Sequence, residues 1–216
     1  GRPIVFSICE WGSTNPWTWA AGIGHLWRAT GDIQDCWDCG REWGGMGITH
    51  ILDLVADLHP YAGPGRWNDP DMLEVGNGGL TLAESRAHFS LWALLAAPLM
   101  AGNDIATMTA EVRDVLLNRE VIAVNQDPLG QCARVVRISE DVFLLVKDLA
   151  DGTKAVGLCN AGEAPVSVTA RWSDLGVSGP QPVRDDWRHQ DLGTFDREYR
   201  AALLGAGDVV LVHARG

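Results

Sequence analysis

Three stretches of the chain place acidic side chains where they could do chemistry. In HLWRATGDIQD, residues 25–35, an apolar run ends in Gly-Asp, with Arg28 four residues before Asp32. In GRWNDPDML, residues 65–73, Asp69 and Asp71 flank Pro70, and Met72 follows. In SICEWG, residues 7–12, Cys9, Glu10 and Trp11 close a run that includes β-branched residues. Acidic groups gathered with tryptophans and few bases suit cleavage of a glycosidic bond. There one carboxylic acid protonates the departing oxygen while a second carboxylate attacks or activates water. A serine hydrolase would need a G-x-S-x-G elbow, and phosphate binding a glycine loop opening a helix; neither pattern occurs. Plainer readings stand beside these. Asp32 could cap a helix, Glu10 could pair with Arg28, and the Asp69–Asp71 stretch could be a rigid turn with Pro70 fixing the backbone.

The elements that must position these groups come in two textures. Up to about residue 128, strands and helices alternate. PIVFSIC and HLWRATGDI read as strands with loops after them, and PLMAGND as a further strand. GITHILDLVADLH carries apolar residues at helical spacing: Ile48, Ile51, Leu52, Val55 and Leu58. Thr81-x-x-Glu84 is a capping box that starts a helix running to about Leu95, and Thr109 caps another. Asp35 and Asp38 are expected on a helix after Asp32. Alternating β and α elements imply a parallel sheet with functional loops at the C-terminal strand ends, as in a (β/α)8 barrel. About four strands are expected here, roughly half of a barrel's eight, so the chain reads as entered in mid-barrel. After Gly130, ARVVRIS, VFLLVKDL, KAVGLCN, VSVTARW and VVLVHA are short strands between turn residues, which implies an antiparallel sheet or sandwich. The boundary is expected in DPLGQ, giving a partial barrel over 1–128 and a β-domain over 129–216.

Bulk properties narrow the partners. The chain has 216 residues, 46% hydrophobic and 21% charged, with a formal net charge of −11. That charge opposes binding to nucleic acid or to an anionic membrane surface. No apolar run approaches the about 18 residues of a membrane-spanning helix. Five cysteines, an odd number without framework spacing, argue against a disulfide scaffold. Cys36 and Cys39 form a lone C-x-x-C, read as plain thiols rather than a metal site. No metal or cofactor is expected. Trp17, Trp19, Trp37 and Trp43 are packing residues, among which one could stack on a sugar. GNGG at 76–79 reads as a tight loop, and His25, His50, His59 and His88 as core or surface residues rather than metal ligands. The compartment is left open, with a secreted or periplasmic location favoured over the cytoplasm, and so is the oligomeric state.

SICEWG, LWRATGDI, YAGPGRWNDPDMLEVGNGGLT, HFSLWALLAAPLMAGNDI and EVIAVNQDPLG, in that order, resemble glycoside hydrolase family 27, the α-galactosidases and α-N-acetylgalactosaminidases. DDWRHQDLGTF resembles a segment of that family's C-terminal β-domain. The resemblance implies strands five to eight of a barrel followed by an antiparallel β-sandwich, and a retaining enzyme acting on terminal α-linked galactose of oligosaccharides. Asp32 matches the general acid/base, and Arg28 the arginine beside it that helps hold the sugar. Such an acid/base is expected to titrate above a free carboxyl, raised by a partly desolvated site. Cys9, Glu10 and Trp11 match the loop that reads the sugar's 2-position, and Met72 a residue lining the pocket. Asp69 and Asp71 match motif aspartates expected to support the cleft. In vertebrate relatives the cysteine matching Cys9 is bridged; the partner position here is Gly24, so Cys9 is expected free. The family's nucleophile, an aspartate in a Lys-x-Asp segment, matches nothing in these residues, so the 216 residues alone are expected to be inactive. The alternatives are α-N-acetylgalactosamine or β-L-arabinopyranose specificity, or a non-catalytic carbohydrate-binding remnant. The glutamate at position 10 argues for a 2-hydroxyl and so against the acetamido sugar. Arabinopyranose stays open, because the family's groups facing C6 match nothing in these residues.

Overall fold

The computed structural model describes residues 1–39, 45–203 and 207–214. Its first part holds three short parallel strands, β1 (Ser7–Ile8), β2 (Leu26–Arg28) and β3 (Trp67–Asp69), bonded in the order β1-β2-β3. The register pairs Ile8 with Trp27, Trp27 with Asn68, and Arg28 with Asp69. All three C-terminal ends therefore lie side by side. Strands this short need support from behind. Trp27 is fully buried, and its indole N–H donates to Asn68 Oδ1 at 2.9 Å, while the Asn68 amide donates to the Leu58 carbonyl at 2.9 Å. Helix α1 (Ile48–Val55) crosses from β2 to β3 and buries Ile48, Ile51, Leu52 and Val55, the stripe its periodicity predicts.

Three expectations fail here. PLMAGND is not a strand; it makes one parallel bridge, Leu73 to Ala101. Pro98 brings no N–H, and the ladder stops after Leu73 N–H to Met100 O (2.8 Å) and Gly102 N–H to Leu73 O (2.9 Å). Residues 31–39 form a loop, so Asp35 and Asp38 are not on a helix. Backbone bonds from outside hold that loop: Met46 N–H donates to Asp32 O, and Gln34 N–H to Met46 O, both at 2.9 Å. Within the same loop Cys36 and Cys39 are joined in a disulfide, which corrects the free-thiol reading. Trp37 between them is buried, and its carbonyl accepts from Thr49 N–H at 3.1 Å, so the chain folds back and the two Cα atoms come within 6.0 Å. The bridge closes only a local turn. Cys9, Cys132 and Cys159 are free.

Helix α2 (Leu82–Leu94) starts at the capping box as expected: Thr81 accepts from the Glu84 N–H, and Glu84 accepts from the Thr81 N–H at 2.7 Å. It is buried round most of its circumference, from Ser85 to Leu94 with only Arg86 exposed, as a central helix must be. Thr109 caps α3 (Ala110–Leu116). Asn118 caps α4 (Arg119–Asn125), a helix the sequence reading left unassigned.

The second part is a six-stranded antiparallel sheet ordered β4-β5-β6-β11-β8-β9, with a two-stranded sheet β7-β10 packed on it. These strands are β4 (Arg134–Arg137), β5 (Val142–Asp148), β6 (Lys154–Asn160), β7 (Val166–Arg171), β8 (Gln181–Asp185), β9 (Gln190–Phe195), β10 (Glu198–Leu203) and β11 (Asp208–Ala214). A short helix α5 (Trp172–Leu175) follows β7. The two faces of the large sheet explain why β5 and β6 are apolar at nearly every position. Phe143, Leu145, Ala155 and Leu211 join the cluster of Phe89 and Trp92 from α2. Leu144, Val146, Val156, Leu158 and Val212 join Val168, Ala170 and Ala201 of the small sheet. Each of the valine, leucine and phenylalanine side chains among them contributes about 1.5–3 kcal/mol on burial. Lys147 sits on the α2 side, where its ammonium donates to the Ala93 carbonyl at 3.2 Å; burial lowers its pKa to about 8. Strands β8, β9 and β10 were not anticipated, since proline, glycine and charged residues interrupt their alternation.

Candidate functional site

The expected site residues lie at the C-terminal ends of β1, β2 and β3. After β1, Glu10 is fixed by its own loop. Its Oε2 accepts from the Thr14 N–H at 2.9 Å and the Thr14 hydroxyl at 2.7 Å, and its Oε1 is buried with no partner among the described residues. The alternative of a Glu10–Arg28 pair is therefore not what forms. Gly12 lets this loop lie against the end of β2. Its φ is +77°, and a Cβ there would collide with the Ala29 carbonyl. Trp11 also has a positive φ, 60°, and is 56% exposed. Holding a bulky residue there costs about 1–2 kcal/mol, which the surrounding turn must offset. Cys9 is exposed and free, as the glycine at position 24 implied.

After β2 and β3 the side chains converge on Arg28. Its Nη2 is 2.8 Å from Asp71 Oδ2, 3.1 Å from Asp32 Oδ1 and 2.9 Å from the Gly31 carbonyl. Asp71 extends the network: Oδ2 accepts from the Ile33 N–H at 2.9 Å, and Oδ1 from the Met72 N–H at 2.8 Å. One carboxylate thus ties the loop carrying Asp32 to the end of β3. Its backbone sits at φ 87°, held by the Trp92 indole, which donates to the Asp71 carbonyl at 2.7 Å. Asp69 is almost fully buried and its Oδ1 accepts from the Asp71 N–H at 2.9 Å. Burial pushes its carboxyl above the usual carboxylate range, against that hydrogen bond and the Arg28 charge. Asp32 itself is 55% exposed by side chain, and Met72, next to Asp71 in the chain, is exposed as well. The desolvating wall expected around Asp32 is not built by these residues. The geometry thus presents one accessible carboxyl on a braced loop, with buried carboxylates and an arginine behind it. Such a group can give or take a proton, while its neighbours hold position.

Of the tryptophans considered for stacking, Trp37 is buried, Trp17 is half-buried, Trp19 is exposed, and Trp43 lies outside the described residues. His88, read from the sequence as a core or surface residue, lies fully buried against Trp92. Its Nε2 accepts from the Glu74 N–H at 3.1 Å, and its ring meets Trp92 edge-on at 4.1 Å. Burial lowers its pKa to about 3. The native state keeps His88 neutral, whereas the unfolded chain takes up the proton below about pH 6.5. This stability is fully present above about pH 6.5 and falls by about 1.4 kcal/mol per unit as pH drops toward about 3. Urea titrations at pH 7 and pH 5 should therefore show a loss of about 2 kcal/mol that His88→Gln largely removes. An unchanged loss in that variant would place the proton uptake elsewhere.

Comparisons with known proteins match this chain at both parts. Residues 1–127 match the family described as Alpha galactosidase A, and residues 139–214 match the Alpha galactosidase C-terminal beta sandwich domain. The chain is 45% identical over 205 residues to an alpha-galactosidase of Cyamopsis tetragonoloba, covering 94% of this chain and 48% of that protein. It is 48% identical over 176 residues to alpha-galactosidase A of Cellvibrio japonicus, covering 80% and 43%. The crystal structure of alpha-galactosidase I from Mortierella vinacea superposes with a TM-score of 0.94 at 34% identity, covering 99% of this chain and 58% of that one. The chain spans about half the length of the curated relatives it matches.

Proposed function

Since the chain belongs to the Alpha galactosidase A family, we propose that it forms the acid/base side of a retaining hydrolase that releases terminal α-linked galactose from oligosaccharides. The observation that carries this reading is the exposed Asp32 carboxyl, braced at a strand end by Arg28 and Asp71. In the first step Asp32 donates its proton to the glycosidic oxygen as the carbon–oxygen bond breaks, and a carboxylate outside these residues takes the anomeric carbon. In the second step the ionised Asp32 removes a proton from water, and that water displaces the enzyme carboxylate. Among the described residues Asp32 is the one exposed carboxylate paired with Arg28. The chain spans about half the length of its curated relatives, so the activity is proposed for a longer protein. The apolar surface beside β1 supports this. Ile4, Val5 and Phe6 are 73%, 72% and 52% exposed, and among the described residues nothing pairs with the outer edge of β1.

Glu10 is the proposed reader of the sugar's 2-position. Thr14 holds the carboxylate through one oxygen while the other is buried without a partner among the described residues, so the side chain stands as a fixed wall at the proposed 2-position. Cys9, Trp11 and Met72, all exposed at the same strand ends, are the proposed neighbours of the substrate. Galactose is preferred over its 2-acetamido analogue because a bulky 2-acetamido group would meet Glu10. Arabinopyranose carries the same 2-hydroxyl and lacks only C6, so Glu10 does not separate it from galactose and the substrate comparison must. The test compares aryl α-galactoside, its 2-acetamido analogue and aryl β-L-arabinopyranoside as substrates of the full-length protein. Wild type should favour the first, and Glu10→Ala should shift the galactoside to acetamido ratio of kcat/KM toward the acetamido sugar by about tenfold or more. An unchanged ratio would remove Glu10 from the specificity role, and a preference for the arabinopyranoside would replace galactose as the substrate.

A further inference from the structure

The loop that carries Asp32 is held from a second side by a contact that the proposed acid/base mechanism does not use. Asp35, three residues after Asp32, reaches across to the glycine-rich stretch 76–79, where its Oδ2 accepts the Gly79 N–H at 2.6 Å. The approach is so close that a Cβ on Gly79 would sit on the Asp35 carbonyl oxygen and 2.9 Å from its carboxyl carbon. Position 79 therefore has room only for glycine. Gly79 is followed within two residues by Thr81, the cap of α2, so the contact fastens the Asp32 loop to the rigid start of the central helix. From the other side Asp71 holds the Ile33 N–H and Met46 holds the backbone of Asp32 and Gln34. Asp32 thus stands on a loop clasped at residues 32–35 from three directions.

We propose that Asp35 is a positioning residue for proton transfer by Asp32, acting through its hydrogen bond to Gly79. The inference rests on the acid/base reading of Asp32. Loosening the clasp leaves the carboxyl present but displaced from the glycosidic oxygen, and small displacements at a reacting group cost large factors in rate. A proton donor matters most when the leaving group is a strong base and least when it departs unaided. The loss should therefore depend on the leaving group, whereas simple destabilisation lowers the amount of active enzyme and reduces every substrate's rate equally.

The experiment measures kcat/KM of the full-length protein for two α-galactosides, one with a dinitrophenyl and one with an aliphatic leaving group. For Asp35→Ala the loss on the aliphatic substrate should exceed that on the dinitrophenyl substrate by about tenfold or more. Asp35→Asn, whose amide oxygen still accepts the Gly79 N–H, should recover most of it, and Gly79→Ala should behave like Asp35→Ala. Equal losses on both substrates, or no loss, would overturn the proposal. If wild type hydrolyses neither substrate, the underlying galactosidase reading fails instead.

Discussion

Asp32→Asn in the full-length protein is expected to lower kcat/KM for an oligosaccharide by about 10²- to 10⁴-fold while leaving the fold intact. The amide is nearly the same shape as the carboxyl, but it carries no transferable acid proton and cannot serve as a base. Stability should hardly change. The Asp32 side chain is half exposed, and an exposed ion pair contributes at most about 1 kcal/mol. Arg28 keeps its Asp71 and Gly31 partners in the variant. The check is kcat/KM together with a thermal unfolding curve. Near wild-type turnover would remove Asp32 from the mechanism. A collapsed Tm would mean that the loss reports folding rather than proton transfer.

Arg28→Leu should have the largest effect on stability, a loss of about 3–5 kcal/mol. Arg28 and Asp71 are each only about one-tenth exposed, at 12% and 11% by side chain, and the Arg28–Asp71 contact is 2.8 Å. Removing the cation strands a buried carboxylate next to Asp69, which is buried as well. The Gly31 carbonyl also loses one of its two donors, keeping only the Thr30 hydroxyl. This cost is a penalty for breaking the pair and differs from the pair's net worth. Arg28→Leu combined with Asp71→Asn should therefore recover part of the loss, giving a coupling energy in the range of about 0.5–3 kcal/mol. Urea denaturation of the two single variants and the double variant measures it. Additive losses would mean that the two side chains act independently, against the geometry.

The sequence made legible what depends on near neighbours. The Thr81–Glu84 capping box, the buried stripe of α1 and the apolar runs of β5 and β6 all form as their local patterns predict. Strands β8 to β10 were hidden because Pro182, Gly193 and the charged residues around them obscure a period of two. PLMAGND reads as a strand by composition, but it has no ladder to join beyond Leu73. For the site, types and strand-end positions were legible; partners were not. Arg28 and Asp71 are 43 residues apart, and nothing in either stretch says that they meet. A buried tryptophan needs an acceptor for its N–H, which hinted that Trp92 had one, but its choice of the Asp71 carbonyl follows from the packing of α2. The odd cysteine count misled because one local pair inside the turn around Trp37 leaves three free thiols.

The role given to Asp32 is tested most directly by chemical rescue of the full-length Asp32→Ala protein on a dinitrophenyl α-galactoside. With the acid/base absent, the covalent intermediate forms but water attacks it slowly, and azide, an anion that needs no base, can enter the vacated space. Proton NMR of the product reads the anomeric configuration. Azide should speed turnover and give an α-galactosyl azide, the configuration retained. A β-galactosyl azide would make Asp32 the nucleophile, and no azide adduct would deny it the acid/base role.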